Sequence, residues 1–264
     1  MRSGPNDVTM TDHTDRKRET AASFGAAADA YLESDVHGEG RDLETLADWC
    51  ADATTALDVA TGAGHTAGAL ADRGVPEVVG LDASPEMVRT ATDAFDGVAG
   101  VVGDAERLPV ADDGVDAVTC RIAAHHFPDP EAFVAEAARV LTADGRLVVE
   151  DNVAPPDPDL GAFLNRVERL RDPSHVESYT VEQWREWLRD AGFTVERTAR
   201  FKKTLDFDAW AAAQSLDGET RERVETILRE ADADARDLFE IETRDGDVES
   251  FANLKAIFEA TLSE

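Results

Sequence analysis

The chain has 264 residues, enough for one large α/β domain or a domain with an elaborated cap. Its 42% apolar content is ordinary for a globular protein, and no apolar run approaches the roughly 18 residues that a membrane span needs. Asp and Glu total 56 against 26 Lys and Arg, a net charge of −30 spread along the whole chain, which leaves no basic stripe for phosphates and excludes nucleic acid as the expected partner.

Residues 1–18 are polar and read as a tail. They lack the apolar stretch of a secretory signal, so a cytoplasmic location is expected; Met10 offers an alternative start. Strong patterning begins near Ala21, and residues from about 14 to 50 read as two amphipathic helices. Phe24 and Tyr31 on the first of them either cover a ligand or pack in a core. The charge would repel itself in dilute salt. At molar salt the Debye length is about 3 Å and the repulsion is screened, so adaptation to a salt-rich cytosol is expected. Cys50 and Cys120 are too few for a disulfide framework. Lysine stands only at positions 17, 202, 203 and 255.

From residue 56 short apolar runs alternate with helical patterns. Ala56–Ala60 is a strand, followed by a glycine turn and a helix from His65 to about Arg73. Glu77–Leu81 is a second strand, and Ser84 and Pro85 open a helix as N-cap and first-turn residue. Gly100–Val102, Val115–Thr119 and Gly145–Glu150 are further strands, with a helix from Asp129-Pro130 to Leu141. Helices follow near 159–170 and 180–191. Phe193–Arg200 is a sixth strand, 206–233 is helical, and a hairpin turns at Arg244–Asp247. Such alternation predicts an α/β fold, a Rossmann-like, mostly parallel sheet with helices on both faces. Ligands bind such sheets beyond the carboxyl ends of the strands. The domain is expected over 19–264, with a core at about 50–155 and cap elements at 19–50, 156–191 and 206–233.

Three strand ends carry chemistry. LDVATGAGH (57–65) turns through Gly62 and Gly64 into a helix N-terminus, where bare backbone can approach a ligand. A plain βα turn or a dinucleotide site would look similar. Asp82, 20 residues beyond Gly62, suits the two hydroxyls of a ribose. Asp104-Ala105 ends the third strand, with Asp104 placed to accept from an adenine amino group.

Taken in order, DVATGAGH, GLDASPEMVRTA, GDAERLP, DAVTCRIAAHHF and ARVLTADGRLVVED resemble the class I S-adenosylmethionine-dependent methyltransferases, in the branch that includes ubiquinone and menaquinone biosynthesis enzymes. The motifs cover residues 50–155. AASFGAAADAYLES, NRVERLRDPSHVESYTVEQW and the C-terminal hairpin resemble a narrower group of bacterial and archaeal methyltransferases. The resemblance implies a seven-stranded sheet and S-adenosylmethionine as cofactor. It implies that Asp58, Thr61 and the Gly62–Gly64 turn hold the methionine moiety. Asp82 would take the ribose, Ala83 and Met87 would pack near the adenosine, Asp104 and Ala105 would read the adenine, and Arg121 would line the methionine end. The acceptor is expected to be a small molecule, with a quinone-type precursor as the branch-level guess, and the chain could form a homodimer. Ala60-Thr61 stands where the family often has Gly or Cys.

CRIAAHHF (120–127) follows the fourth strand and should border the cleft. No metal is expected, since too few ligands gather there. Cys120 should face the core. Its histidines either pack on the next helix or serve the acceptor, and His126, His175 and Asp151 are the base candidates, in that order. Between the cap helices, His175 or Arg171 would close over the substrate, or the segment is a charged turn capped by Ser174. Two alternatives remain open: a nicotinamide-dependent oxidoreductase, although Gly62-x-Gly64-x-x-x-Gly68 departs from the dinucleotide pattern, and a non-catalytic cofactor-binding module.

Overall fold

The structure is a computed structural model that describes residues 10–33, 38, 40–213 and 216–262. Helices α1 (Met10–Ala26), α2 (Ala28–Leu32) and α3 (Arg41–Trp49) precede β1 (Thr55–Val59). Then come α4 (His65–Asp72), β2 (Glu77–Asp82), α5 (Pro85–Ala94), β3 (Val98–Val102) and β4 (Val115–Arg121). A 3-10 turn at Ala124–His126 leads to α6 (Pro130–Val140), β5 (Leu141–Ala154), α7 (Pro158–Arg171) and β6 (Tyr179–Thr180). The chain ends with α8 (Val181–Asp190), β7 (Phe193–Asp206), α9 (Phe207–Ala213), α10 (Gly218–Arg229), α11 (Ala233–Leu238), β8 (Glu242–Arg244) and β9 (Asp247–Leu262).

The sheet runs β3-β2-β1-β4-β5-β9-β7. The first five strands are mutually parallel, and β9 is antiparallel to both β5 and β7. The expected seven strands form this path. Two short ones are added: β6 lies beside the end of β5, and β8 is the other arm of the hairpin with β9.

Central strands are apolar on both faces, as a sheet covered by helices requires. Leu147 and Val149 enter one core with Phe133 of α6 and Trp184 of α8, while Val148 between them enters the other with Leu46 of α3 and Leu70 of α4. Cys120 is buried in the first core, as expected. A third core, under the cap, joins Leu164 of α7, Phe207, Leu228 of α10 and Phe251 of β9. The helices start where the sequence places caps. Ser84 Oγ accepts from Met87 N at 3.3 Å, and Asp129 Oδ1 accepts from Ala132 N at 3.1 Å.

The expected tail requires correction. Residues 10–18 belong to α1, and residues 1–9 lie outside the described ones. Arg16 Nη2 donates to the carbonyl oxygen of His175 at 3.1 Å, and Lys17 pairs with Asp104 at 2.8 Å and Glu106 at 2.5 Å. Thr14, Lys17, Ala21 and Phe24, at helical spacing, all face one cavity. That stripe is half polar, so apolar periodicity does not reveal it.

Candidate active site

A cavity of about 720 Å³ opens beyond the carboxyl ends of the parallel strands, roofed by α1. Parallel register brings the ends of β1, β2 and β3 side by side, so Gly62, Asp82 and Asp104 share one end of it. Gly62 has φ +54°, and a Cβ there would meet nothing within 4 Å, so the backbone lies bare to the cavity. Asp82 Oδ2 accepts from Gly62 N and Oδ1 from Ser84 N, both at 2.9 Å. The two amides fix the carboxylate and leave it further lone pairs for hydroxyls. Ala83, Met87, Ala105, Thr61 and Arg121 line the same space.

Two expected cofactor contacts sit behind this wall. Asp58 does not line the cavity. It accepts from the hydroxyls of Thr61 and Thr119, each at 2.7 Å, and reaches a ligand only through Thr61. Gly64 is off the cavity too. A Cβ there would stand 2.7 Å from the Ala91 Cβ, so this glycine, at φ +98°, serves the packing of α4 on α5. Ala60, at the end of β1, adopts φ +55°. A left-handed conformation costs an L-residue about 1–2 kcal/mol, which explains why glycine suits this place. Ala60→Gly is expected to raise stability by up to about 1 kcal/mol after the glycine entropy penalty, measured by urea unfolding; a loss would show that Ala60 is unstrained.

Beyond β4 the 3-10 turn sets both histidine rings on the cavity wall, 4.2 Å apart. His125 Nδ1 lies 2.5 Å from Asp151 Oδ1, an oxygen that also accepts from Asn152 N at 2.8 Å. A carboxylate there selects the Nδ1–H tautomer and leaves Nε2 as the basic atom. His126 Nδ1 faces Ser174 Oγ at 3.0 Å, and that hydroxyl donates to Asp172 Oδ1 at 2.6 Å. With its one proton spent on Asp172, Ser174 must accept from His126, which leaves the proton on Nδ1 and Nε2 bare, 4.0 Å from Asp172 Oδ2. Burial pushes the His126 pKa well below the ordinary histidine value, with His125 as the next cause. Phe24 stands edge-on to His126 at 4.9 Å, and Phe24 and Tyr31 both line the cavity.

His175 requires correction as a base. It is fully buried and off the cavity, its Nε2 against Asn165 Oδ1 at 2.8 Å, because the turn after α7 folds it beneath His125. Asp151 is also buried off the cavity, behind His125, which it contacts through Oδ1. Arg171 and Asp172 do line it. His125 was passed over in the sequence because its value depends on β5 lying beside β4. A carboxylate at the end of the neighbouring strand was the only available signal.

Burial lowers His175 to about 2. Below the unfolded value of about 6.5, the unfolded chain therefore binds protons at His126 and His175 that the folded one refuses. Stability should fall with acidification, by about 1.4 kcal/mol per pH unit for each. Asp58, raised to about 6 by burial, works in the opposite direction. Between its unfolded value and pH 6 the folded state holds a proton there, a contribution that is lost as pH rises. Urea midpoints at pH 7 and pH 5 check the balance, and His175→Gln should flatten the slope; an unchanged slope would show that His175 is charged.

At the far end of the cavity lies a buried ionic chain. Arg121 Nη2 donates to Asp42 Oδ2 at 3.1 Å and Nε to Glu150 Oε2 at 3.0 Å, while Lys255 Nζ donates to Glu150 Oε1 at 3.1 Å. Among the described residues, no group of His, Cys, Asp and Glu is placed to hold a metal ion, and no helix is long and apolar enough to cross a membrane.

A Rossmann-like sheet with a bare glycine turn and acidic residues at successive strand ends defines a nucleoside-cofactor enzyme. The chain belongs to the S-adenosylmethionine-dependent methyltransferase family. Residues 57–149 match the methyltransferase domain. The uncharacterised methyltransferase YcgJ of Bacillus subtilis is 36% identical over 223 residues, 82% of this chain and 88% of that one. A solved structure from Bacillus halodurans has a TM-score of 0.80 at 36% identity, covering 84% of this chain and 99% of that one. A demethylmenaquinone methyltransferase of Beutenbergia cavernae is 41% identical over 100 residues, but these span only 38% of this chain and 41% of that one. The oxidoreductase alternative is thereby overturned. The protein is a methyltransferase, and its cofactor is S-adenosylmethionine. The residues at the nucleoside end fit that cofactor: an open backbone at Gly62, a fixed carboxylate at Asp82 and a second at Asp104. Asp82→Ala is expected to weaken S-adenosylhomocysteine by about 1–3 kcal/mol, the range for a hydrogen bond to a charged group, read by calorimetry in molar KCl. Undiminished affinity would place the ribose elsewhere.

Proposed function

We propose that the chain methylates a small-molecule acceptor at an atom that loses a proton, with His125 as general base, held by Asp151. The observation that carries this is the 2.5 Å His125–Asp151 contact on the wall of the cavity that also presents Gly62 and Asp82. The cofactor supplies a methyl group on an already activated sulfonium. The protein then has to align the nucleophile, exclude water and, for a hydroxyl or acidic carbon, take its proton. Roofing by α1 supports a small acceptor, since a polymer would need an open groove. His126, neutral and fixed by Ser174, faces the same space as a positioning group. A quinone-type precursor is the narrower reading, supported by the demethylmenaquinone methyltransferase likeness alone. The test supplies methyl-labelled cofactor with phenol, enol, amine and thiol panels. Label entering the small-molecule fraction, and lost in His125→Ala, supports the reading. Label entering only protein or RNA defeats it.

A further inference from the structure

Three of the chain's four lysines line the cavity, in a protein that otherwise uses arginine for its positive charge. The fourth, Lys202, pairs with Glu240 at 2.8 Å. Lys17 serves the nucleoside end, where it holds Asp104 and Glu106. Lys203 and Lys255 stand at the other end, and the sheet register puts them on one face. Lys255 is opposite Asn152 across β5 and β9, and Lys203 is opposite Asn253 across β7 and β9. Directly paired residues, and residues two apart on one strand, point to the same side of a sheet. Arg171, at the end of α7, adds a third positive charge near Trp210, 5.7 Å from its ring centre.

The balancing carboxylates are placed behind. Glu150, Glu168 and Asp42 are buried and do not line the cavity. Asp172 does, but its Oδ1 is occupied by Ser174. The platform therefore turns its cationic side toward the ligand. Asn152 and Asn253 line the same end, and the Oδ1 of each is buried without a hydrogen-bond partner; as acceptors these oxygens call for a donor, a hydroxyl or water accompanying the ligand, while the cations alone face its anion. Lysine is a compact charge with three donors, suited to an anion of variable orientation.

We propose that this end is an anion subsite: the acceptor carries a carboxylate or phosphate held by Lys203, Lys255 and Arg171, which directs its reacting atom back toward His125. Apolar Leu205 and Trp210 beside the cations fit a ligand with a hydrophobic body. Burial lowers the Lys203 pKa, and a bound anion would act against that shift. The inference rests on the small-molecule reading of the cavity.

The test is calorimetry on the full chain saturated with S-adenosylhomocysteine in molar KCl. The probes are para-hydroxybenzoate, para-hydroxyphenyl phosphate and the neutral para-hydroxybenzamide. At least one anion should bind about tenfold or more tightly than the amide, as expected for a charge-assisted contact, and the stronger of the two identifies carboxylate or phosphate. Lys203→Gln should remove the preference and Lys203→Arg should keep it, with S-adenosylhomocysteine affinity unaltered in both as the check on folding. Equal binding of acid and amide, or an unaltered preference in Lys203→Gln, overturns the anion subsite and leaves the small-molecule reading standing. Binding of none of the three probes while S-adenosylhomocysteine still binds removes both.

Discussion

Glu150→Gln is expected to destabilise the fold by about 3–5 kcal/mol, the cost of leaving a buried charge without its partner. Glu150 is fully buried and accepts from both Arg121 and Lys255. A neutral amide takes away the negative charge that Arg121 and Lys255 share, and one of its two ends would present N–H to a cation. Lys255→Met should cost less, because Arg121 still neutralises Glu150. Urea unfolding in molar KCl measures both, and salt at that concentration screens surface pairs but scarcely touches this one. If Glu150→Gln unfolded at the wild-type midpoint, the chain of charges would be contributing nothing. Because the network joins α3 to β4, β5 and β9, its loss should also loosen the acceptor end of the cavity before the nucleoside end.

His125→Ala is expected to lower kcat by about 10²–10⁴, the usual contribution of a positioned base, with S-adenosylhomocysteine affinity unchanged. The ring is attached to a backbone fixed elsewhere: the His125 carbonyl accepts from Val176 N at 2.8 Å and keeps that bond in the variant. Added imidazole should restore part of the rate in His125→Gly, since the vacated space opens on the cavity. Asp151→Asn is the subtler change. The contacts of Asp151 with His125 and Asn152 both fall on Oδ1, so an asparagine oxygen in that place still accepts from His125 and Asn152. It removes the charge and preserves the tautomer, and it should cost less than His125→Ala. Equal rates for wild type and His125→Ala on a labelled acceptor would remove the base from the mechanism and leave alignment alone.

That Gly62, Asp82 and Asp104 share one end of a cavity was legible in the sequence because each of the parts is local. A strand, a turn and a helix N-cap are contiguous, and parallel pairing of successive strands then brings Gly62, Asp82 and Asp104 together. The other half of the cavity, the proposed acceptor end, is assembled from residues far apart in the chain. Arg121 meets Asp42 and Glu150, Glu150 meets Lys255, and His126 meets Ser174; no spacing rule reports such pairs. Gly64 and Asp58 show the opposite limit. Their motif reads as a ligand-binding turn, but packing and Thr61 stand between these two residues and the cavity. The first helix is expected only from about residue 14, and its start at Met10 and its place on the cavity escape the pattern because its cavity-facing stripe mixes polar and apolar side chains.

The position of β9 has a consequence for how the chain is made. It is the last described strand in sequence yet lies between β5 and β7, paired with β7 over residues 250–262 and with β5 over 255–261. During synthesis β5 therefore waits as an open edge, apolar on both faces, until residues 247–262 arrive. Exposed edges of this kind recruit other chains, and pairings across about a hundred residues form late. The same strand delivers Lys255 to Glu150 and Asn253 to the acceptor end. A growing chain can thus complete the end of the cavity around Gly62, Asp82 and Asp104 well before the end that carries Lys203 and Lys255 exists.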